Sequence, residues 1–180
     1  MDSDLLILPE CFIDTALANT LSFPKRGYKH KRGCNNVLLE MKKKPNNALF
    51  GIIDNDKCVP PEFSKSFKPL KTHNENLTIY KHNERQHYIV TIGRKGKAVE
   101  DFILKNAEKC NIKLAEYNLP TDLSGLIEVK DTIKSVKDAE LKFKKLFSTL
   151  KQNQHSDFHT LAKWIEQFKA TPYDLNANSL

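Results

Sequence analysis

Two pairs of acids stand directly behind apolar runs. Glu10 closes "DLLILPE" (4–10) and Asp14 follows four residues on, while Asp54 and Asp56 close the run in "FGIIDNDK" (50–57). A spacing of four puts Glu10 and Asp14 on one face of a helix that starts there. A spacing of two sends Asp54 and Asp56 to the same side of a strand. Like charges that close raise one carboxyl's pKa unless water, a cation or basic groups offset them. Asp-Asn-Asp is also ordinary turn chemistry, so the second pair taken alone reads first as a solvated turn. Taken together, oxygen-only donors of this kind suit a hard cation, Mg²⁺ or Mn²⁺.

The elements that must bring these acids together can be traced along the chain. "DLLILPE" reads as a short buried strand and "CFIDTALANTL" (11–21) as an amphipathic helix broken by Pro24 and Gly27. A brief strand near 28–31 is expected next. "GCNNVLLEMKKK" (33–44) follows as a helix with lysines in its last turn, where they suit the helix dipole. "ALFGIID" then reads as a strand buried on both faces, Gly51 being the only small residue among Phe50, Ile52 and Ile53. In an open parallel sheet, adjacent strand exits form the crevice where ligands bind, so Glu10, Asp14, Asp54 and Asp56 can gather at one edge.

Further on, "CVPPEFSKSFKPL" (58–70) reads as a proline-punctuated loop, and "NLTIYKH" with "QHYIVTIG" as a hairpin or a pair of sheet strands. "KAVEDFILKNAEKC" (97–110) has helical spacing, as do Phe143, Leu146, Phe147 and Leu150, and again Phe158, Leu161, Ile165 and Phe168. The expected fold class is α/β, a mostly parallel sheet flanked by helices with a C-terminal helical extension. The division is an α/β domain over 1–125 and an extension over 126–180.

At 180 residues, 39% hydrophobic and 28% charged, the chain can bury a real core and is not of disordered composition. No apolar run reaches the length of a membrane span, and the first ten residues lack the pattern of a signal peptide, so no membrane partner and a cytoplasmic location are expected. Cys11, Cys34, Cys58 and Cys110 form no Cys-x-x-Cys pair and read as free thiols. The net charge of +7 suggests a polyanion partner. Its basic residues cluster at 25–33, 42–44, 93–97 and along 130–151, with Lys31, Arg32, Arg94, Lys95 and Lys97 the candidate phosphate contacts. His155 and His159 are spaced i, i+4 but lack the Glu of a His-Glu-x-x-His zinc motif. Trp164 reads as core or as an interface anchor.

A Glu ending the first strand and an Asp-x-Asp ending a later one resemble the Toprim domain of topoisomerases, primases and overcoming-lysogenization-defect nucleases. Glu10-Cys-Phe-Ile-Asp14 is most similar to the nuclease branch, whose motif reads Glu-Gly-x-x-Glu/Asp. Cys11 stands where glycine is usual, and Gly33 matches a glycine common before the second helix. The resemblance covers roughly residues 4–104. It implies a Rossmann-like core and a further metal-holding carboxylate, Glu100 with Asp101 as its alternative. It also implies an assisting lysine, for which Lys95, Lys97 and Lys130 all qualify.

The resulting expectation is a Mg²⁺- or Mn²⁺-dependent nuclease acting on DNA or RNA. Glu10, Asp54 and Asp56 would be catalytic, and Glu10, Asp14, Asp54, Asp56 and Glu100 would hold metal. The resemblance further implies a role in phage defence beside a separately encoded ATPase, with homo-oligomerisation left open. The alternative is a non-catalytic Toprim-like subunit that binds nucleic acid or an ATPase partner.

Overall fold

The computed structural model describes residues 7–22, 28, 30–56, 61–178 and 180. The first three residues of the expected opening strand, Lys25, Arg26 and Lys29 of the first basic cluster, and Cys58 lie outside them.

A five-stranded sheet in the order β1-β2-β5-β4-β3 carries the fold. Strand β1 (Ile7–Pro9) pairs in parallel with β2 (Leu49–Asp54), and β2 with β5 (His87–Ile92). Strands β4 (Leu77–His82) and β3 (Phe67–His73) add antiparallel pairings. The sheet is therefore mixed and not mostly parallel. The short 83–86 connection turns β4 straight into β5, which allows only antiparallel pairing there.

Every residue of β2 and β5 is buried, because helices cover both faces. Alternation along β2 divides the core. Phe50 and Ile52 pack with α1 (Phe12–Leu21), α4 (Val99–Lys109), α6 (Val136–Gln152) and α7 (Asp157–Ala170). Leu49 and Ile53 face α2 (Cys34–Lys43) and α3 (Pro61–Ser66) through Val37, Met41 and Phe63. Gly51 lies on that second face, where a Cβ would stand 2.9 Å from Val37 Cγ1 and 3.0 Å from Met41 Cε, so glycine lets α2 sit directly on the sheet. The C-terminal helices share the first core, with Phe143, Phe147, Phe158, Trp164 and Phe168 all buried in it.

Two local expectations are corrected. The segment 58–70, read as a loop, contains α3 and the start of β3. Pro69 is tolerated there because β3 is an edge strand and its register shifts between Pro69 and Lys71. The brief strand expected near 28–31 is not formed by Tyr28, His30 or Lys31. Lys31 N–H donates to Pro9 O at 2.7 Å and Gly33 N–H to Glu10 O at 3.3 Å, laying the segment beside the end of β1.

A buried carboxylate cluster at the strand ends

Glu10 follows β1 and is fixed by both carboxylate oxygens. Oε1 accepts from Cys34 N–H, the first residue of α2, at 3.1 Å, and Oε2 accepts from Asp54 N–H at 2.9 Å. The side chain thus joins the end of β2 to a helix N-terminus, where negative charge is favoured. Gly33, immediately before that helix, has φ +83°, a conformation that side chains rarely adopt. Cys11 has an ordinary extended backbone and caps α1, its Sγ accepting from Asp14 N–H at 3.4 Å. A side chain at position 11 therefore meets no backbone conformation reserved for glycine.

Asp14, in the first turn of α1, is fully buried. Neither of its carboxylate oxygens has a well-formed hydrogen bond, the weak thiol of Cys11 being a nearby side-chain donor that favours its ionised form, and Asp54 Oδ1 lacks a partner. Buried polar atoms without partners are rare in folded proteins. Burial, reinforced by the neighbouring Glu10 charge, pushes the Asp14 carboxyl up to about 8. Burial followed by the Asp14 and Glu10 charges holds Asp54 well above the carboxylate range. Glu10 is raised by burial, against its two backbone hydrogen bonds. The Cys11 thiol is raised as well, by burial and then by Asp14 and Asp54.

Glu100 on α4 is 3% exposed and meets Lys130 Nζ, from α5 (Leu123–Thr132), at 2.7 Å. Burial works to lower the Lys130 ammonium, but the Glu100 pair outweighs it and raises it above its ordinary value. Of the three lysines left open by the sequence, Lys130 is the one whose charge is felt by Glu10, Asp14 and Asp54. Asp101 instead takes a bidentate grip from Arg94, at 3.2 and 2.9 Å.

Asp56 is placed differently. The strand ends at Asp54, Asn55 bridges to Lys97, and Asp56 borders an adjoining cleft of about 610 Å³ with Lys95 and Tyr80. Its charge still reaches Glu10. Among the candidate phosphate contacts, Lys31 pairs with Glu40 at 3.3 Å and Arg94 with Asp101, whereas Arg32, Lys95 and Lys97 are exposed. His155 is exposed, His159 Nδ1 lies 2.9 Å from Lys151 O, and Trp164 is core. Cys11, Cys34 and Cys110 stand outside any disulfide among the described residues.

A further buried acid, away from this cluster, escaped the sequence reading. Asp157 at the start of α7 accepts from Asn74, Asn76, Asn106 and Lys109 and lies 3.5 Å from His73 Nε2. Burial opposes its ionisation, yet the Lys109, Asn76 and Asn74 hydrogen bonds prevail and its pKa is lowered. The only local signal was the Ser-Asp start of a helix.

The orphaned oxygens bear on whether a hard cation fits. They are hard donors, they are buried, and the cluster holds four carboxylates against one ammonium, so the chemistry of the set suits Mg²⁺ or Mn²⁺. Spacing does not match as the side chains stand: among the described residues no group of three His, Cys, Asp or Glu is placed to hold a metal ion. The fold and the cluster together define a mixed-sheet α/β protein with a carboxylate centre at the C-terminal ends of adjacent parallel strands. Comparison with family models, curated proteins and solved structures returned no match.

Proposed function

We propose that this chain is a divalent-cation-dependent nuclease of Toprim type that cleaves or nicks phosphodiester bonds in DNA or RNA, acting in phage defence beside a separately encoded ATPase. One observation carries the reading: three carboxylate oxygens, two on Asp14 and one on Asp54, are buried without a well-formed hydrogen bond, the weak Cys11 thiol and the Lys130 charge being what the site sets against their mutual repulsion. Asp14 and Asp54 would hold the cation, with Glu10 and Glu100 adjoining. When bound, Mg²⁺ or Mn²⁺ polarises a phosphate oxygen and lowers the pKa of water. Glu10 keeps Asp54 and the α2 N-terminus in register through its two backbone hydrogen bonds. Lys130 sets a positive charge beside the acids, suited to offset negative charge developing on a leaving oxygen. Arg32, Lys95 and Lys97, exposed, serve the nucleic-acid backbone, and Asp56 stands beside Lys95 at the cleft.

A second reading, a non-catalytic subunit that binds nucleic acid or an ATPase partner, is favoured by Lys130 already supplying a cation inside the cluster. Nicking of plasmid and of RNA with Mg²⁺ and with Mn²⁺, for the wild type and Asp54→Asn, separates the two. The nuclease reading expects nicking by the wild type and its loss in the variant with melting temperature retained. No nicking by either protein supports the subunit reading, and equal nicking by both refutes a role for Asp54.

A further inference from the structure

The opposite edge of the sheet holds a second feature that the carboxylate centre does not use. His87 opens β5 opposite Leu49, while Asp54 closes β2 at the far end, so roughly 17 Å of strand separates the two edges. At the His87 edge, Phe67 opens β3 opposite His82, which closes β4. Between them lies a cavity of about 270 Å³ floored by Met41, Phe63 and Phe67. Aromatic rings line it closely: Phe67 meets Phe63 at 5.1 Å and His82 edge-on at 5.0 Å, and His87 lies 5.8 Å from His82.

The charged residues that line this cavity have one sign. Lys42 and Arg85 line it, no acid does among the described residues, and neither cation is ion-paired with an acid among them. His82 Nδ1 accepts from Glu84 N–H at 3.1 Å, which puts the neutral ring's proton on Nε2 as a further donor. Burial and then Arg85 lower the His82 pKa, against the Glu84 charge, so the ring serves as a neutral donor and not as a third charge. Apolar walls with a few convergent polar groups are the pattern of a small-molecule site. The volume falls just under the roughly 300–1,000 Å³ typical of drug-sized ligands, which favours a single ring over a dinucleotide.

We propose that this cavity binds a small planar anion, one aromatic ring carrying a carboxylate or phosphate, with the ring against Phe67 and His82 and the anionic group between Lys42 and Arg85. The site is independent of the carboxylate centre. Isothermal titration and thermal melting with phenyl phosphate and benzoate test it, with inorganic phosphate and cyclohexanecarboxylate as controls. Saturable binding of one or both aromatic anions, at least tenfold weaker in Lys42→Ala/Arg85→Ala, at least tenfold weaker for both controls and unchanged in Asp54→Asn, is the expected result. The double variant changes side chains outside the core, and its unliganded melt confirms that it folds. Absence of binding at millimolar concentration overturns the proposal. So does binding indifferent to the double variant, or cyclohexanecarboxylate binding as tightly as benzoate.

Discussion

Replacing Asp14 by Asn removes the proton equilibrium of a fully buried acid while nearly keeping its shape. An unfolded Asp loses its proton near pH 4, whereas folded Asp14 keeps its proton up to about 8. Between those values the folded state binds more protons than the unfolded one, so stability falls as pH rises. The stabilisation is fully present below about pH 4 and is lost progressively up to about pH 8, at no more than about 1.4 kcal/mol per pH unit for one group. From pH 5 to pH 8 the ceiling is about 4 kcal/mol, or roughly 8–16 °C in melting temperature for a chain of this size. The amide of Asp14→Asn does not titrate, so it contributes no such slope, and it can donate to the carboxylates around it. The variant should therefore match the wild type near pH 4, melt higher at pH 8 and show a flatter pH profile. Mg²⁺ or Mn²⁺ should raise the wild-type melt at pH 8, where a cation favours the ionised carboxylate, and leave the variant nearly unmoved. Urea unfolding at each pH, with and without cation, measures both effects. A variant with the wild-type pH slope, or one less stable than wild type at pH 8, would refute the assignment of that proton to Asp14.

Lys130→Met should expose the worth of the pair with Glu100. Removing one partner of a buried pair costs about 3–5 kcal/mol, and since the Lys130 side chain is 36% exposed, screening trims that to about 1–3 kcal/mol. Glu100→Gln in the same chain should restore part of it in chemical denaturation. Arg94→Glu should lower the melting temperature because it sets a like charge against the buried Asp101, whereas Arg32→Glu and Lys95→Glu should weaken nucleic-acid binding and its salt dependence with the melt unchanged. Equal effects of all three on the melt would refute the division. Gly51→Val should cost about 1–3 kcal/mol by overpacking against Val37 and Met41, with partial rescue by Val37→Ala.

The fold was legible wherever local pattern and burial agree. The apolar run of β2 and the helical spacing of α1, α2, α4, α6 and α7 appear in the sequence because each element buries a face that its own residues define. Strand β3 did not appear, because an edge strand needs only one half-buried face, and Pro69 with Lys68 and Lys71 carries the composition of a loop. The mixed character of the sheet follows from that missed strand and from the antiparallel β4–β5 pairing, for which the sequence offered a hairpin or simply two sheet strands. Glu10 and Asp14 were placed together by their spacing of four, although α1 begins only at Phe12. Lys130 could not be singled out, since its partner Glu100 lies thirty residues away and only the packing of α5 on α4 brings them together.

Asp14 and Asp157 show why the candidate site was less legible than the fold. Both stand in the first turn of a helix, both are fully buried, and in sequence each reads as an acid that a helix N-terminus favours. What separates them lies far along the chain. The Asn74 and Asn76 turn, together with Asn106 and Lys109 on or at the end of α4, converges on Asp157 and keeps it ionised. Around Asp14, burial raises the pKa first, and the neighbouring Glu10 and Glu100, which cannot donate when ionised, add to it against Cys11 and Lys130. A fold that solves the burial of one carboxylate with four donors, and surrounds another with acids, treats the two differently. The first is explained by stability alone. The second costs stability in the chain as it stands, and a cation at Asp14 and Asp54 is what would offset that cost.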